Sequence, residues 1–98
     1  MIEGLSKANF DPLINEKFEV HPVGMGIVEL ELIKITEHGG EYSESFSLLF
    51  RGPVDNIFRH DTHKIKHPKL GEFDLFIGPV IYPKTDGIYY EAIFNRLK

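Results

Sequence analysis

Short apolar runs with a two-residue period, each stopped by glycine or proline, constrain the fold of this chain more than any other feature. The clearest run is SFSLLFRGP, residues 45–53, in which Phe46, Leu48 and Phe50 alternate with polar or small neighbours. Successive side chains of a strand point to opposite faces, so this pattern predicts a strand with one buried face. Gly52-Pro53 ends it, because proline cannot donate to a strand ladder. Arg51 therefore lies at a strand end.

The same period predicts six strands in all. The run from Met25 to Thr36 alternates as far as Leu32 and then changes phase, which predicts a bulge or bend near Leu32. Asp86-Gly87 predicts a tight hairpin with positive φ at both positions, and residues 38–41 predict another turn. The predicted strands cover residues 17–21, 25–36, 42–51, 62–67, 73–77 and 88–96.

A short helix is predicted before the first strand, over residues 9–15. Asn9 would cap it, Pro12 falls in its first turn, and Asn15 can adopt the left-handed closing conformation. Two apolar groups outside the strands are predicted to face the core: Phe10, Leu13 and Ile14 of the helix, and Ile57 and Phe58 of the loop 54–59.

Six strands with short connections leave no room for crossover helices, which predicts an antiparallel sheet. The expected fold is all-β in one domain, residues 1–98, with the helix at about 9–15 and the sheet at about 17–96. The bend near Leu32 and the need to hide apolar strand edges favour a small barrel or roll. A β-sandwich is the alternative.

Composition excludes several classes of function. The chain has 98 residues, a formal net charge of −4 and no cysteine, so disulfides and thiolate metal sites do not occur. The scattered basic residues oppose nucleic-acid binding. The chain has neither a long apolar span nor a secretory signal, so we expect a cytoplasmic protein that does not enter a membrane. Neither a cofactor nor a catalytic motif is indicated, so we expect a protein that is not an enzyme.

Two polar groups are candidates for a site. Arg51 could pair with Glu91 if the third and last strands are neighbours, either as a scaffold ion pair or as a clamp for an anion. His60, Asp61 and His63, with His67 further along, suggest zinc or nickel, since imidazole and carboxylate groups are ligands of these metals. However, His63 and His67 would lie ~13 Å apart on one strand, so we expect no physiological metal site.

The last strand is apolar on both faces. Tyr89 and Ile93 point opposite to Tyr90 and Phe94, so either the helix or a second subunit must cover the additional face. This pattern makes Tyr89 and Ile93 candidates for a protein-binding surface and allows self-association.

Three motifs carry a family resemblance: FSLLFRGP, HPKLGEFDLFIGPV and YYEAIFNR. Together they resemble a small bacterial family of unknown function, from about Phe10 onward. The resemblance implies a compact β domain without an established activity or cofactor, and an association with phage-tail-like gene neighbourhoods. Where relatives read Gln-Gly-Thr-Tyr before the HPxLG turn, this chain has residues 60–63, HDTH, which indicates local variation rather than shared chemistry.

Two functions follow as hypotheses. The first is a non-enzymatic structural or protein-interaction module. The alternative is a small barrel that binds a hydrophobic or flavin-like ligand, either as a binding protein or as an enzyme, with Arg51, His67 or Glu91 near its mouth.

Overall fold

Six antiparallel strands close into a barrel in the computed structural model, which describes residues 5–38 and 43–97. Neighbours around the barrel follow the order β1-β2-β3-β6-β5-β4, and β4 closes against β1. The predicted antiparallel barrel with a short N-terminal helix is confirmed, and the sandwich alternative is wrong. Most of the predicted turn at 38–41, and Tyr42, lie outside the described residues. The strands are β1 Lys17–His21, β2 Val28–Glu37, β3 Ser43–Gly52, β4 Asp61–His67, β5 Gly71–Val80 and β6 Ile88–Leu97.

The bend predicted in β2 is present. Leu32 is opposite Phe50, whereas Lys34 is opposite Leu49, so the register shifts by one residue between Leu32 and Lys34. This bulge changes which side chains of β2 face inward and gives the strand its curvature. β2 begins at Val28 rather than residue 25, because the last pair of the ladder between β1 and β2 joins Val20 to Val28.

The N-terminal segment is shorter and tighter than predicted. It consists of α1, Lys7–Phe10, and a 3-10 turn, Asp11–Leu13. The cap is Ser6 rather than Asn9, because the Asn9 side chain accepts the Ser6 backbone N–H at 2.7 Å in a capping box. Asn15 does adopt the left-handed conformation, with φ of 75°.

This segment seals one end of the barrel with Phe10. The Phe10 ring lies 6.0 Å from that of Phe46 in β3 and 5.3 Å from that of Phe94 in β6, measured between centroids. It also lies 6.4 Å from Phe18 in β1 and 6.3 Å from Phe73 in β5. The helix therefore fills the barrel end and does not cover the outer face of β6.

Leu13 is buried beside Phe10, as predicted. The prediction for Ile14 is wrong, because its backbone is already extended where the turn ends, and its side chain is 39% exposed.

The loop between β3 and β4 seals the opposite end. Phe58 is buried there and stacks on Tyr90 of β6, with ring centroids 4.2 Å apart and an interplanar angle of 12°. The prediction of an inward Phe58 is thus confirmed. The same prediction for Ile57 is wrong, since half of its surface is exposed.

The prediction of a tight hairpin at Asp86-Gly87 is wrong. The ladder between β5 and β6 reaches its last pair at Val80 and Tyr89, so the connection is the longer segment 81–87. Neither Asp86 nor Gly87 is among the described residues with positive φ. Gly87 is required for a different reason, since a Cβ there would lie 2.8 Å from both the Arg51 Cγ and the Gly52 carbonyl oxygen.

Replacing Phe10 with alanine tests whether the N-terminal segment is part of the core. We expect Phe10→Ala to lower the free energy of unfolding by about 3–5 kcal/mol, because it leaves a cavity where the ring of Phe10 contacts four strands. The matched control Ile14→Ala should cost about 1 kcal/mol or less. Urea denaturation measures both, and equal costs would contradict the role of Phe10 as a plug.

Candidate functional site

Arg51 is the centre of the largest polar cluster that links separate elements. It lies at the end of β3, opposite Glu31 of β2 on one side and Tyr89 of β6 on the other. Its Nη2 donates to Glu31 Oε1 at 2.8 Å, and its Nη1 donates to Asp86 Oδ2 at 3.0 Å. Both halves of the guanidinium fork are thus used by carboxylates of the protein itself.

Asp86 is held from a second side. The Tyr89 hydroxyl donates to Asp86 Oδ1 at 2.7 Å, and the Tyr89 ring stacks on Tyr82 at 4.4 Å. Arg51, Asp86 and Tyr89 therefore fasten the β5–β6 connection to the ends of β2 and β3. This arrangement supports the scaffold role of Arg51 over the anion clamp.

The predicted partner of Arg51 is wrong. β3 and β6 are neighbours, as the hypothesis required, but Glu91 lies opposite Leu49 rather than Arg51. Glu91 makes no ion pair with any described residue. Register decides the pairing, and the sequence alone does not fix register between strands so far apart in the chain.

The cluster shifts the ionisation of its members. The hydrogen bond from Tyr89 and the nearby Arg51 guanidinium hold the pKa of Asp86 below its ordinary value of 3.8. Burial, and then the bond to Asp86, raise the pKa of Tyr89 above 10.0. The hydrogen bond with Glu31 also raises the pKa of Arg51, which is charged at any ordinary pH.

Removing the carboxylates separately distinguishes the observed pairs from the predicted one. We expect Glu31→Gln and Asp86→Asn each to lower the melting temperature by a few degrees, because each weakens a charged hydrogen bond of Arg51. The control Glu91→Gln should leave the melting temperature unchanged. Thermal unfolding monitored by circular dichroism measures all three, and a larger loss in Glu91→Gln would contradict the assigned register.

The pH dependence of stability follows from these directions. The folded-state pKa of Asp86 is depressed, so its contribution is present above about pH 3.8 and is lost as pH falls further. The pKa of Tyr89 is raised, so its contribution is present below pH 10.0 and is lost as pH rises through the folded pKa.

We expect the stability difference between wild type and Asp86→Asn to be constant from pH 5 to 8 and to shrink below about pH 3.8. Urea titrations across this range measure it, and a difference that grows in acid would contradict it.

His67 is a buried residue of β4 that forms a hydrogen bond close to the end of the N-terminal segment. Its Nδ1 accepts the backbone N–H of Lys69 at 3.0 Å, so its Nε2 carries the proton and donates to Glu16 Oε1 at 2.9 Å. Its ring packs on Phe18 at 4.5 Å. Because Glu16 lies between the segment that carries Phe10 and the start of β1, His67 ties the end of this segment to the barrel wall.

His63 does the same at the other end. Its Nε2 donates to the Arg59 carbonyl at 2.9 Å, and its ring meets the edge of Phe58 at 4.8 Å. The Nδ1 atom is buried without a hydrogen-bond partner among residues 5–38 and 43–97. The inward row of His63, Ile65 and His67 follows the alternation of HKIKH in the sequence.

The histidines predicted as a weak metal alternative are separated. His60 lies outside the barrel, with its ring 6.3 Å from that of Phe76 and over Gly78, while His63 points inward. Within the part of the chain that the structure describes, no three histidine or carboxylate side chains are arranged to hold a metal ion.

Tyr89 and Ile93, predicted as partner-binding residues, have different surroundings. Tyr89 is buried beneath Tyr82, so the segment 81–87 of the same chain covers it. Ile93 is 59% exposed on the outer face of β6. Of the two, only Ile93 is accessible to a partner.

A larger exposed apolar area lies at the barrel end sealed by Phe58. The β1–β2 and β3–β4 loops present five side chains that are 37–96% exposed, and we name them the loop-end surface: Val23, Met25, Ile27, Val54 and Ile57. Val23, Met25 and Ile57 line a concavity of about 300 Å³ together with Phe58, Arg59 and His63. Sequence analysis missed this surface, because apolar residues in loops give no periodic signal.

The fold and these contacts define the chain as a small closed β-barrel domain with both ends sealed by its own aromatic residues. It belongs to the family described as Domain of unknown function (DUF6916), which it matches over residues 5–94. The predicted resemblance to a family of unknown function is therefore confirmed. Neither a curated protein nor a solved structure matches the chain. No helix among the described residues has the length and apolar character needed to cross a bilayer.

Proposed function

We propose that this domain is a non-enzymatic structural or protein-interaction module that binds a partner through the loop-end surface. The observation that carries the proposal is the exposure of five apolar side chains on two loops at one barrel end, three of which, Val23, Met25 and Ile57, line a concavity. Scattered apolar residues are normal on a protein surface, whereas a contiguous group around a concavity is typical of an interaction site.

The area of this surface favours an apolar segment of a partner protein over a second copy. The five side chains expose on the order of 500 Å², comparable to the largest apolar patch of a typical monomer. Stable interfaces bury about 800 Å² on each partner. Two copies meeting through this surface would fall short of that, whereas an inserted segment can also use the walls of the concavity between Met25 and Ile57.

The filled interior supports this function over the alternative of a bound hydrophobic or flavin-like ligand. Phe10 and Phe58 occupy the two ends, and Leu30, Leu48 and Ile65 are fully buried between them. A six-stranded barrel is narrow, so its own side chains are enough to fill it. Arg51 and His67, which the ligand hypothesis placed at a mouth, are both engaged by carboxylates of the chain.

The family resemblance implies the kind of complex in which such a module would act, which is a phage-tail-like assembly. Subunits of such assemblies meet many neighbours at once, so several small contacts together can hold each one in place. A surface of this area fits that requirement, since each contact is weak when taken alone.

Charge substitutions at the loop-end surface test the proposal. A protein captured from the native host should be identified, purified and titrated against the domain by calorimetry. We expect Val23→Asp and Ile57→Asp to weaken its binding at least about tenfold, because each places an unpaired charge in an apolar contact. The control Ile81→Asp, at a fully exposed position in the segment 81–87, should bind as wild type does.

Two results would overturn this proposal. One is that Ile81→Asp weakens partner binding as much as the two loop variants do, which would show that the effect is not specific to the loop-end surface. The other is a concentration-dependent dimer in light scattering that Val23→Asp abolishes, which would make a second copy the occupant.

A further inference from the structure

β5 and β6 separate after three paired residues. The pairs are Gly78 with Glu91, Pro79 with Tyr90, and Val80 with Tyr89. Beyond them both strands continue in the same direction, β5 back to Gly71 and β6 on to residue 97, and no further pair forms between them within residues 5–38 and 43–97. Both strands continue past Gly78 and Glu91, so the ladder between them ends although neither strand stops there. We name the facing edges, residues 71–77 of β5 and 92–97 of β6, the open seam.

Each strand of the open seam is paired on its other side only. β5 pairs with β4 through residues 71–77, and β6 pairs with β3 through residues 92–97. Alternate backbone N–H and C=O groups of each strand therefore point into the seam, where they find no ladder partner among the described residues. Such edges are templates for an added strand.

Side chains around the open seam are apolar on both faces. On the inner face, Phe73 and Phe94 face each other across the ring of Phe10. On the outer face, Phe76 is 61% exposed and Ile93 is 59% exposed. An added strand would find aromatic contacts inside and would cover two exposed apolar side chains outside.

Two acidic side chains, Asp74 within the open seam and Glu91 beside its paired end, lie on the outer face. Asp74 shares the outward face of β5 with Phe76, and Glu91 shares that of β6 with Ile93. Neither carboxylate forms an ion pair with any residue in the ranges 5–38 and 43–97. The neighbouring Glu72, by contrast, is held by Lys64 and Lys66 at 3.3 and 3.4 Å.

We propose that the open seam binds an extended segment of a partner protein, about six residues long, with alternating apolar side chains and at least one outward lysine or arginine. A single guest strand would complete two ladders, one with β5 and one with β6, which an edge-to-edge contact with a second copy cannot do. The guest's basic residue would meet Asp74 and Glu91. This site is separate from the loop-end surface and does not depend on the function proposed for it.

Hydrogen exchange of the free domain tests whether the edges are open. Along residues 92–97 alternate amides face β3 and the open seam, so the strand provides its own control. We expect the seam-facing amides to exchange about a hundredfold faster than the β3-facing ones. Equal protection of both sets would mean that the seam is already occupied, and it would overturn the proposal.

A designed strand tests binding directly. The probe is the peptide Lys-Val-Thr-Val-Thr-Val-Lys, titrated into the ¹⁵N-labelled domain, and its counterpart has glutamate in place of both lysines. We expect slowed exchange and chemical-shift changes confined to β5 and β6, with the glutamate peptide at least about fivefold weaker. Shifts that map to residues 22–27 and 53–57, or no shifts at millimolar peptide, would overturn the proposal.

Matched variants separate the open seam from other surfaces. Ile93→Lys and Phe76→Lys each place a charge beside the guest's basic residue, and we expect at least about tenfold weaker binding of the lysine peptide. Ile81→Lys adds the same charge outside the seam and should change binding by less than about twofold. Val23→Asp should also leave this binding unchanged, so either proposal can fail without the other. Loss of binding in Ile81→Lys equal to that in Ile93→Lys would show a general charge effect and overturn the site.

Discussion

The contact of Phe10 with four different strands is the interaction on which the rest of the barrel depends. Two seams of the sheet, β1 with β4 and β5 with β6, are held by only three register pairs each. Backbone hydrogen bonds alone give those seams little strength, so the interior must hold the strands together. Phe10 contacts β1, β3, β5 and β6, and thereby connects the two strands of one of these seams, β5 and β6. Close packing, rather than ladder length, closes this barrel.

A sealed interior moves any recognition to the outside of the molecule. Phe10 at one end and Phe58 at the other leave the described chain two distinct apolar areas, the loop-end surface and the open seam. They differ in kind. The first offers side chains around a concavity, while the second offers strand edges that have no ladder partner among the described residues, with acidic side chains beside them. A domain with two such surfaces can connect two partners, which suits a structural module better than an enzyme.

The sequence predicted what depends on local patterning and missed what depends on register. Six strands, the bulge after Leu32 and the left-handed Asn15 all follow from period, phase and residue type within a few positions. The partners of Arg51 do not, because Glu31 and Asp86 are brought to it by two separate strand alignments. Ile14 was placed inward as part of a helix over residues 9–15, but its backbone is extended after the 3-10 turn and its side chain is exposed. Ile57 was placed inward together with Phe58, yet it precedes this plug residue and turns outward. An apolar residue beside a plug has no second interior position to occupy.

The two histidines of β4 show how interior polar groups can stabilise such a barrel without any chemistry. His67 binds Glu16 just after the N-terminal plug, and His63 binds the Arg59 carbonyl just after Phe58. Each plug belongs to a non-strand segment, which has few ladder hydrogen bonds of its own to hold it. A buried histidine on the wall supplies one directed bond at each end, and its aromatic ring packs against the plug or its neighbour. The four-residue spacing that separates His63 and His67 too widely for one metal ion is the spacing that lets one strand hold both ends of the barrel closed.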